Sequence, residues 1–280
     1  MTTQLELAVR FRALHDPAAP LALANAWDAA SARLVAAAGA PAVATTSAGV
    51  AWGLGAADGD RLDRDAALAL IERVVAAVDV PVTADIESGF GAAPADVAET
   101  VARVLAAGAV GVNIEDAHSA PGAATPLRPA EEQAERLAAA RAAAESAGIP
   151  LYLNARVDVY LRGVGEESGR LAETLRRSRI YLEAGASGVF VPGVADPELI
   201  GELAAGIDAP LNVLVGPGSP AVPELGKLGV ARASLGSAVA EAAYAQVDRA
   251  ARELLATGTY GSLAGALDYG TINALMKAGE

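Results

Sequence analysis

Residues 94–115, with the sequence PADVAETVARVLAAGAVGVNIE, contain one complete helix–turn–strand unit. The first part has apolar residues at helical spacing, and a proline followed by an acidic residue marks where the helix begins. A glycine in an Ala-Gly-Ala turn ends it. The last part is a short apolar run that ends in a carboxylate and has the character of a buried strand. This stretch therefore predicts alternating helices and strands.

The turn of this unit recurs along the chain, as AGAPAV, AGAVGV, AGIPLY and AGASGV at 38–43, 107–112, 147–152 and 184–189. Eight strand-then-helix repeats can be counted, and they predict a (β/α)8 barrel rather than an open doubly wound sheet, which has about five or six strands. The predicted strands are 20–27, 41–47, 80–87, 109–115, 150–157, 187–192, 210–216 and 230–235. The predicted helices are 28–38, 63–78, 94–107, 129–147, 168–184, 196–206, 219–228 and about 236–256.

We expect one barrel domain over residues 1–280, because this length is within the range of a single barrel and no linker or low-complexity segment interrupts it. Residues 1–19 are predicted to form a leading helix. Residues 257–280 are predicted to form a helical tail that is too small to be a domain of its own. Such a tail is suited to packing on its own barrel or on a neighbouring subunit.

The composition argues against several classes of function. The formal net charge of −13 disfavours binding to nucleic acid and to anionic membranes. The absence of cysteine excludes disulfides, thiolate zinc sites and a cysteine nucleophile or base. The sequence lacks an apolar run of the roughly 18 residues that a membrane span needs, and its N-terminus lacks the pattern of a signal peptide. We therefore expect a cytoplasmic protein without nucleic-acid or membrane partners.

Three carboxylates stand near the ends of two apolar runs: Asp85 and Glu87 in PVTADIESGFG, and Glu115 in GVNIEDA. Because strand side chains alternate between two faces, Asp85 and Glu87 are expected to point the same way. Converging carboxylates repel one another unless a hard cation lies among them. Mg²⁺, or Mn²⁺ in its place, is held by a few carboxylates and waters and leaves room for an anionic substrate. These three residues therefore predict a metal site.

Arg156 stands at another predicted strand end, where the active sites of such barrels are assembled. Its planar, permanently charged guanidinium suits the binding of a carboxylate or phosphonate. The alternative is an ion pair with a neighbouring acid such as Asp158. Asp116 points away from Glu115 by strand alternation and is expected to contact the backbone or a neighbouring arginine.

The remaining candidates are polar, aromatic or small residues at strand ends and in the loops that follow them. His118 opens a long loop and is a candidate acid or base, whereas His15 is expected at the surface. The backbone N–H groups of a small-residue turn could hold an anion. That turn consists of Ser47, Ala48 and Gly49. Trp27 and Asn212 are assigned to substrate binding, with packing and hydrogen bonding inside the barrel as the alternatives.

Together these residues resemble the isocitrate lyase / phosphoenolpyruvate mutase family. The matching stretches are ANAWDAASARLVAAAGAPAVATTSAGVAWGLGAADG, PVTADIESGFG, GVNIEDA, LRPAEEQAERLAAARAAA, LNARVDVYL and GVFVPG, and they extend from about Leu21 to Leu235. The resemblance implies a (β/α)8 barrel whose eighth helix is exchanged with a neighbour, in dimers that pair into tetramers. It also implies bound Mg²⁺ and a 2-oxo carboxylate substrate.

The resemblance assigns roles to individual residues. Asp85, Glu87 and Glu115 correspond to the acids of the family's metal site, and Asp58 to the acid after the second strand. Ser47, Ala48 and Gly49 correspond to the anion-holding turn, and Arg156 to the substrate arginine.

The chain departs from the family's pattern in the loop after the fourth strand. Isocitrate and 2-methylisocitrate lyases have Lys-(Lys/Arg)-Cys-Gly-His there, with the cysteine as acid/base, whereas residues 116–128 of this chain are DAHSAPGAATPLR. Phosphonopyruvate mutases and hydrolases have Glu-Asp-Lys followed by Pro-Lys, of which only Glu-Asp is present. Glu87 also replaces the second aspartate of the usual Asp-x-Asp. These differences argue against an ordinary isocitrate lyase and leave the subclass open.

Our first hypothesis from the sequence is a Mg²⁺-dependent carbon–carbon lyase, decarboxylating or retro-aldol, that acts on a small 2-oxo or 2-hydroxy di- or tricarboxylate. Decarboxylation makes the smallest demand on the altered loop, because only a proton must be delivered after CO₂ departs. The alternatives are a phosphonopyruvate mutase or hydrolase, and a catalytically weak binder of 2-oxo acids.

Overall fold

The computed structural model describes residues 2–118 and 125–277. Within these residues, nine short strands form one sheet in which every pairing is parallel. The strands are β1 (Leu21–Leu23), β2 (Asn25–Ala26), β3 (Val43–Thr45), β4 (Val82–Asp85), β5 (Gly111–Glu115), β6 (Tyr152–Arg156), β7 (Gly188–Val191), β8 (Leu211–Leu214) and β9 (Val230–Ser234). The α-helices are α1 (Gln4–Ala13), α2 (Ala29–Ala37), α3 (Ser47–Gly53), α4 (Arg64–Ala76), α5 (Pro94–Ala106), α6 (Ala130–Ser146), α7 (Glu167–Glu183), α8 (Pro197–Gly206), α9 (Val222–Lys227), α10 (Ala238–Thr257) and α11 (Tyr269–Lys277), with a 3-10 helix at Gly261–Leu263.

The sheet closes into a barrel because the two halves of its first strand, which is interrupted at Ala24, pair with opposite ends of the sheet. The half before the interruption, β1, pairs with β9, and the half after it, β2, pairs with β3. The strand order β1-β9-β8-β7-β6-β5-β4-β3-β2 therefore begins and ends on the two halves of one strand. The (β/α)8 barrel predicted from the repeated turn is confirmed.

Two predicted strands are too long at the end that faces the candidate site. The run 41–47 supplies only Val43–Thr45 as strand, and the predicted turn at Ser47 is the start of the short helix α3. The run 80–87 ends as strand at Asp85, because Glu87 has a φ of 51°. A left-handed backbone is uncommon for a residue other than glycine, so the apolar pattern does not reveal it. Glu87 therefore lies outside the strand, and strand alternation no longer predicts that its side chain points the same way as that of Asp85.

Helix α1 closes the amino-terminal end of the barrel, and Phe11 within it is fully buried. The prediction that His15 is a surface residue is wrong, because only 8% of it is exposed. Its ring stacks on that of Tyr152 with 3.7 Å between the centroids, and its Nδ1 is 2.9 Å from the carbonyl oxygen of Phe11. The segment after α1 therefore turns under the barrel floor instead of leaving it.

The buried position of His15 predicts a pH-dependent stability. Burial, helped by the positive charge of Arg232, lowers the pKa of His15 to about 3. Between about pH 6.5 and 3 the unfolded chain binds a proton that the folded chain does not, so this residue lowers the free energy of unfolding as the pH falls, by up to about 1.4 kcal/mol per unit. We expect His15→Phe to reduce that slope in urea denaturation. Parallel slopes for the two proteins would contradict the assignment.

The carboxyl-terminal helices lie on the outside of the barrel. Helix α10 buries only Ala240, and α11 contacts α2 through Arg33, whose Nη1 donates to the carbonyl oxygens of Leu275 and Met276 at 2.8 Å each. No helix in the described part of the chain combines the length and apolarity that a membrane crossing requires.

Candidate active site at the strand ends

The carboxyl ends of three neighbouring strands bring the charged residues of the site together. Strand β4 ends at Asp85, β5 at Glu115 and β6 at Arg156. In the parallel register Asp85 pairs with Asn113, and Glu115 pairs with Arg156. Enzymes with this fold carry out their chemistry at this end of the barrel.

Arg156 lies between two buried carboxylates. Its Nη1 is 2.7 Å from Oε2 of Glu115, while Nε and Nη2 donate to the two carboxylate oxygens of Asp158 at 2.6 and 2.9 Å. Its guanidinium carbon is 5.9 Å from the centre of the Phe190 ring. The ion pair with Asp158, which the sequence offered as the alternative, is therefore present, and it fixes the plane of the guanidinium beside Glu115.

Burial is the largest single influence on the pKa of Glu115 and on that of Arg156. It raises the pKa of Glu115, an effect that the positive charge of Arg156 opposes and the negative charges of Asp158 and Asp85 reinforce. Burial by itself would lower the pKa of Arg156, but Glu115 and Asp158 more than compensate, so its pKa lies above the usual value. The site thus contains a permanent cation beside carboxylates that lack full charge compensation.

Asp85 is held by the segment that follows β3. The hydroxyl of Ser47 donates to Asp85 Oδ2 at 3.0 Å and the N–H of Ser47 does so at 3.4 Å, while the N–H of Asp85 donates to Thr45 Oγ1 at 2.9 Å. Burial raises the pKa of Asp85, against the opposing effects of Arg156 and Ser47. Its carboxylate is therefore fixed in position but only partly compensated in charge.

Glu87 connects two loops of the site. Its Oε2 accepts hydrogen bonds from the backbone N–H groups of Gly59, at 3.1 Å, and Asp60. In return, the N–H of Ser88 donates to Oδ1 of Asp60 at 3.3 Å. We call these contacts between Glu87, Gly59, Asp60 and Ser88 the loop clasp. It ties the loop that carries Asp58 to the loop after β4.

Two substitutions of Glu87 distinguish its role in the loop clasp from a purely electrostatic role. Glu87→Gln keeps an oxygen for the two N–H groups but loses the charge, whereas Glu87→Asp keeps the charge on a chain shorter by one methylene. We expect Gln to be tolerated and Asp to lower the free energy of unfolding by about 1–2 kcal/mol, because two backbone donors lose their acceptor. Urea denaturation of both variants measures this. The opposite order would show that the charge matters more than the reach.

The oxygen-only character of the acids suits a hard divalent cation. In the described residues no three acidic or histidine side chains lie close enough together to enclose an ion by themselves. Mg²⁺ does not require such a cage, because it usually keeps several waters and takes one or two protein carboxylates together with substrate oxygens. The negative charge of Asp85 raises the pKa of Glu115, and that of Asp58 raises the pKa of Asp85. A cation would relieve that repulsion, so the residues present fit Mg²⁺.

The other predicted residues lie at the surface, beside helix α3 or within its first turn. Asp58 is exposed, yet its charge raises the pKa of both Asp85 and Glu87. Trp27 is half-buried and packs beside Gly49, where an added Cβ would lie 2.8 Å from the Cβ of Trp27. Ala48 lies between Ser47 and Gly49 in the first turn of α3.

The last two predicted residues, Asn212 and His118, lie on β8 and in the loop after β5. Asn212 is buried inside the barrel, and its Oδ1 accepts a hydrogen bond from the hydroxyl of Ser234 at 3.1 Å. His118 is half-buried at the base of its loop, where its N–H donates to the carbonyl oxygen of Pro126 at 2.9 Å. Residues 119–124 of that loop lie outside the described residues.

Several residues of the site were not singled out from the sequence. Asp60 forms half of the loop clasp, and Arg162 approaches Asp158 at 3.5 Å. A glycine between two aspartates at 58–60 was the available signal for the first. Asp116 behaves as expected: it accepts from the N–H of Asp158 and pairs with Arg177 at 3.0 Å.

Residues 11–255 match the sequence profile of the family described as phosphoenolpyruvate phosphomutase. A 2-methylisocitrate lyase of Escherichia coli K12 is 30% identical over 209 residues, which represent 72% of this chain and 67% of that protein. A protein of known structure from Burkholderia cenocepacia J2315 is 42% identical, with a TM-score of 0.89 that covers 98% of this chain and 96% of the other.

A phosphonopyruvate hydrolase solved with oxalate and Mg²⁺ has the same fold. The TM-score is 0.83 over 97% of this chain and 95% of the other, at 23% identity. Similarity at this level of identity concerns the fold.

Proposed function

The chain belongs to the phosphoenolpyruvate phosphomutase family, and on this premise we propose that it is a Mg²⁺-dependent carbon–carbon lyase acting on a small 2-oxo or 2-hydroxy di- or tricarboxylate. The observation that carries the proposal is the position of Arg156 between Glu115 and Asp158, at the strand ends beside Asp85. A permanent cation next to oxygen ligands for a hard metal suits a carboxylate that adjoins a carbonyl or hydroxyl oxygen. The similarity to 2-methylisocitrate lyase supports carbon–carbon cleavage.

Of the three acids predicted to bind metal, Asp85 and Glu115 would hold the cation together with waters and substrate oxygens, and Glu87 would lie beside them in the loop clasp. When bound, the cation supplies a Lewis acid that stabilises the negative charge developing on the 2-oxo group. The loop clasp limits how far Glu87 can move toward the cation, because its Oε2 already accepts two N–H groups.

Arg156 would bind the carboxylate of the substrate. Asp158 holds the guanidinium plane, and Glu115 lies on the opposite part of the fork, so the arginine does not have to be ordered when the substrate arrives. Ser47 uses its N–H and hydroxyl to fix Asp85. The N–H groups of Ala48 and Gly49, in the first turn of α3, have no acceptor four residues earlier in the helix and would serve the anionic substrate.

His118 is the proposed proton carrier. In a decarboxylation, the carbon–carbon bond breaks, CO₂ departs with neither of the bonding electrons, and His118 would deliver a proton to the carbon left behind. In a retro-aldol cleavage it would instead accept the proton of the substrate hydroxyl. The hydrogen bond from its N–H to Pro126 keeps its backbone at the base of the loop, next to β5.

The family description also supports phosphonopyruvate mutase or hydrolase chemistry as a second candidate, with Asp58 as the acid beside the substrate. The absence of the lysines that the family's phosphonopyruvate enzymes have after Glu-Asp makes it the weaker candidate. A 2-oxo acid binder without turnover is the third.

A panel of substrates with Mg²⁺ tests the proposal. The purified protein is incubated with oxaloacetate, isocitrate, 2-methylisocitrate and phosphonopyruvate, and the release of pyruvate, glyoxylate and phosphate is followed, with EDTA and protein-free Mg²⁺ as controls. Pyruvate release from oxaloacetate or 2-methylisocitrate, or glyoxylate release from isocitrate, would support the lyase if EDTA abolishes it. Phosphate release, or conversion of phosphonopyruvate, would replace it by the second candidate. Binding with no product from any substrate would favour the third.

We also propose that the protein is a homo-oligomer in which α10 is exchanged between subunits. Helix α10 follows β9 and would be expected to cover β9 and β1, between α9 and α2. Instead, an apolar groove of about 610 Å³ lies there, lined by residues that include Leu23, Val35, Val222 and Leu235. Large apolar residues on α10 are meanwhile exposed, with Val247 at 65%, Leu254 at 56% and Leu255 at 87%. A second copy could fill the groove with this helix.

A charge on α10 tests this arrangement. We expect Leu254→Glu to shift the protein toward the monomer in light scattering after gel filtration, because the carboxylate would be buried in the groove of the second subunit. Leu5→Glu is the matched control, since Leu5 is 49% exposed on α1 at the other end of the barrel. A Leu254→Glu protein with the mass of the wild type would contradict the exchange.

A further inference from the structure

A continuous row of residues crosses the inner face of the barrel. The register pairs Arg156 with Phe190, Phe190 with Asn212, and Asn212 with Arg232. Paired residues on adjacent strands present their side chains on the same face of the sheet. Arg232 on β9 therefore shares the inner face with Arg156, although the proposed function does not use it.

Arg232 is fully buried and only partly hydrogen-bonded. Its Nε donates to Oγ of Ser234 at 3.1 Å, and that hydroxyl donates to Oδ1 of Asn212 at 3.1 Å. Nη1 and Nη2 of Arg232, and Nδ2 of Asn212, find no hydrogen-bond partner among residues 2–118 and 125–277. The unpaired nitrogens of Arg232 and Asn212 are thus all hydrogen-bond donors, and those of Arg232 belong to a charged guanidinium.

Such an arrangement is costly unless something compensates it. A buried guanidinium without a partner costs several kcal/mol, and an unsatisfied amide adds to that. Burial lowers the pKa of Arg232 to about 10, which leaves it charged at neutral pH. The groups that raise its proton affinity are Tyr152, which is neutral there, and Asp85 at the metal-site end. Water could satisfy the hydrogen bonds but would leave the positive charge without a counter-charge, whereas a carboxylate supplies both.

We propose that Arg232 and Asn212 form a second anion-binding position, which takes the remote carboxylate of a substrate whose 2-oxo or 2-hydroxy acid end lies at Arg156 and Asp85. This inference rests on the proposed function, and it assigns a binding position to the second carboxylate of the proposed di- or tricarboxylate. Ser234 has a positioning role, because it connects the arginine to the amide and leaves their outer nitrogens for the ligand.

Two ligands that differ only in the remote carboxylate test the proposal. (S)-Malate and (S)-2-hydroxybutyrate have the same four-carbon chain, with a carboxylate in one and a methyl group in the other. In calorimetric titrations with Mg²⁺, the wild type is expected to bind malate roughly 10- to 100-fold more tightly. Arg232→Met should remove most of this preference and leave the affinity for 2-hydroxybutyrate within about twofold. Arg232→Lys should keep part of it.

Asn212→Asp provides a second, independent variant. It places a carboxylate beside Arg232 while keeping an oxygen for Ser234, so the ligand-free protein is expected to melt at a higher temperature and to lose its preference for malate. A purely structural Arg232 would instead make Arg232→Met less stable with the preference intact, and that result overturns the proposal.

The failure of this inference can be told apart from the failure of the proposed function. If both ligands bind the wild type equally in the presence of Mg²⁺, and neither Arg232→Met nor Asn212→Asp changes this, then the second anion position is wrong and the site at Arg156 stands. If neither ligand binds the wild type with Mg²⁺, both proposals are wrong.

Discussion

Replacing Asp85 by asparagine is expected to reduce metal-dependent turnover by roughly a thousandfold or more, and to leave the ligand-free protein at least as stable as the wild type. Several kcal/mol of charge stabilisation come from a bound divalent ion, and each tenfold in rate corresponds to about 1.4 kcal/mol. The amide keeps an oxygen for the N–H and hydroxyl of Ser47. It also removes a carboxylate that burial disfavours in its charged form.

Asp116→Asn is the matched control for this prediction. Asp116 is a fully buried aspartate whose pKa, like that of Asp85, is raised by burial, but it pairs with Arg177 and Tyr181 instead of facing the proposed cation site. We expect this variant to lose stability, because Arg177 loses its buried carboxylate partner and keeps only Glu173, and to keep the Mg²⁺ dependence of turnover. Thermal melts and steady-state rates over a Mg²⁺ series measure both effects. Mg²⁺-dependent turnover in Asp85→Asn would remove Asp85 from the metal site.

Arg156→Gln is expected to lose both activity and stability. Turnover should fall by about 100- to 1,000-fold, because the substrate carboxylate loses its charged partner. The free energy of unfolding should fall by about 3–5 kcal/mol, because Glu115 and Asp158 remain buried with only the more distant, partly exposed Arg162 as a counter-charge. Urea denaturation and steady-state kinetics give the two numbers.

The neighbouring Arg162 offers the control for Arg156. It approaches the same two acids, at 4.0 Å from Glu115 and 3.5 Å from Asp158, but 38% of its side chain is exposed. Arg162→Gln is therefore expected to cost less than about 1 kcal/mol. If Arg156→Gln and Arg162→Gln lost equal stability, the position of Arg156 between the two buried acids would not make it more important for stability than Arg162. Full turnover in Arg156→Gln would exclude it as the substrate arginine.

The fold could be predicted because its signal is local and repeated. Four Ala-Gly turns each mark the end of a helix and the start of a strand, and eight strand–helix repeats leave few alternatives to a closed parallel barrel. The positions of Asp85, Glu115 and Arg156 at strand ends follow from the same reading. The exposed α10 could not be predicted from its own sequence, since an amphipathic helix has the same pattern whichever barrel it packs on.

The details of the site depend on contacts that single residues do not reveal. The left-handed backbone at Glu87 and the loop clasp depend on two N–H groups almost thirty residues earlier in the chain. Arg232 lies in an apolar run, where its inward direction and its unpaired nitrogens become visible only when the neighbouring strands are placed. His15 was misplaced for the same reason, because its burial depends on Tyr152 of a distant strand.

Calorimetric titration with oxalate measures whether a divalent cation and Arg156 together bind a 2-oxo acid. Oxalate has two adjacent carboxylate groups. It therefore resembles the enolate of a 2-oxo acid that forms when the carbon–carbon bond breaks, and it does not react. We expect oxalate to bind in the presence of Mg²⁺, and this binding to disappear in excess EDTA and in Asp85→Asn. Equal affinity with and without the cation, or no binding in its presence, would contradict the proposed site.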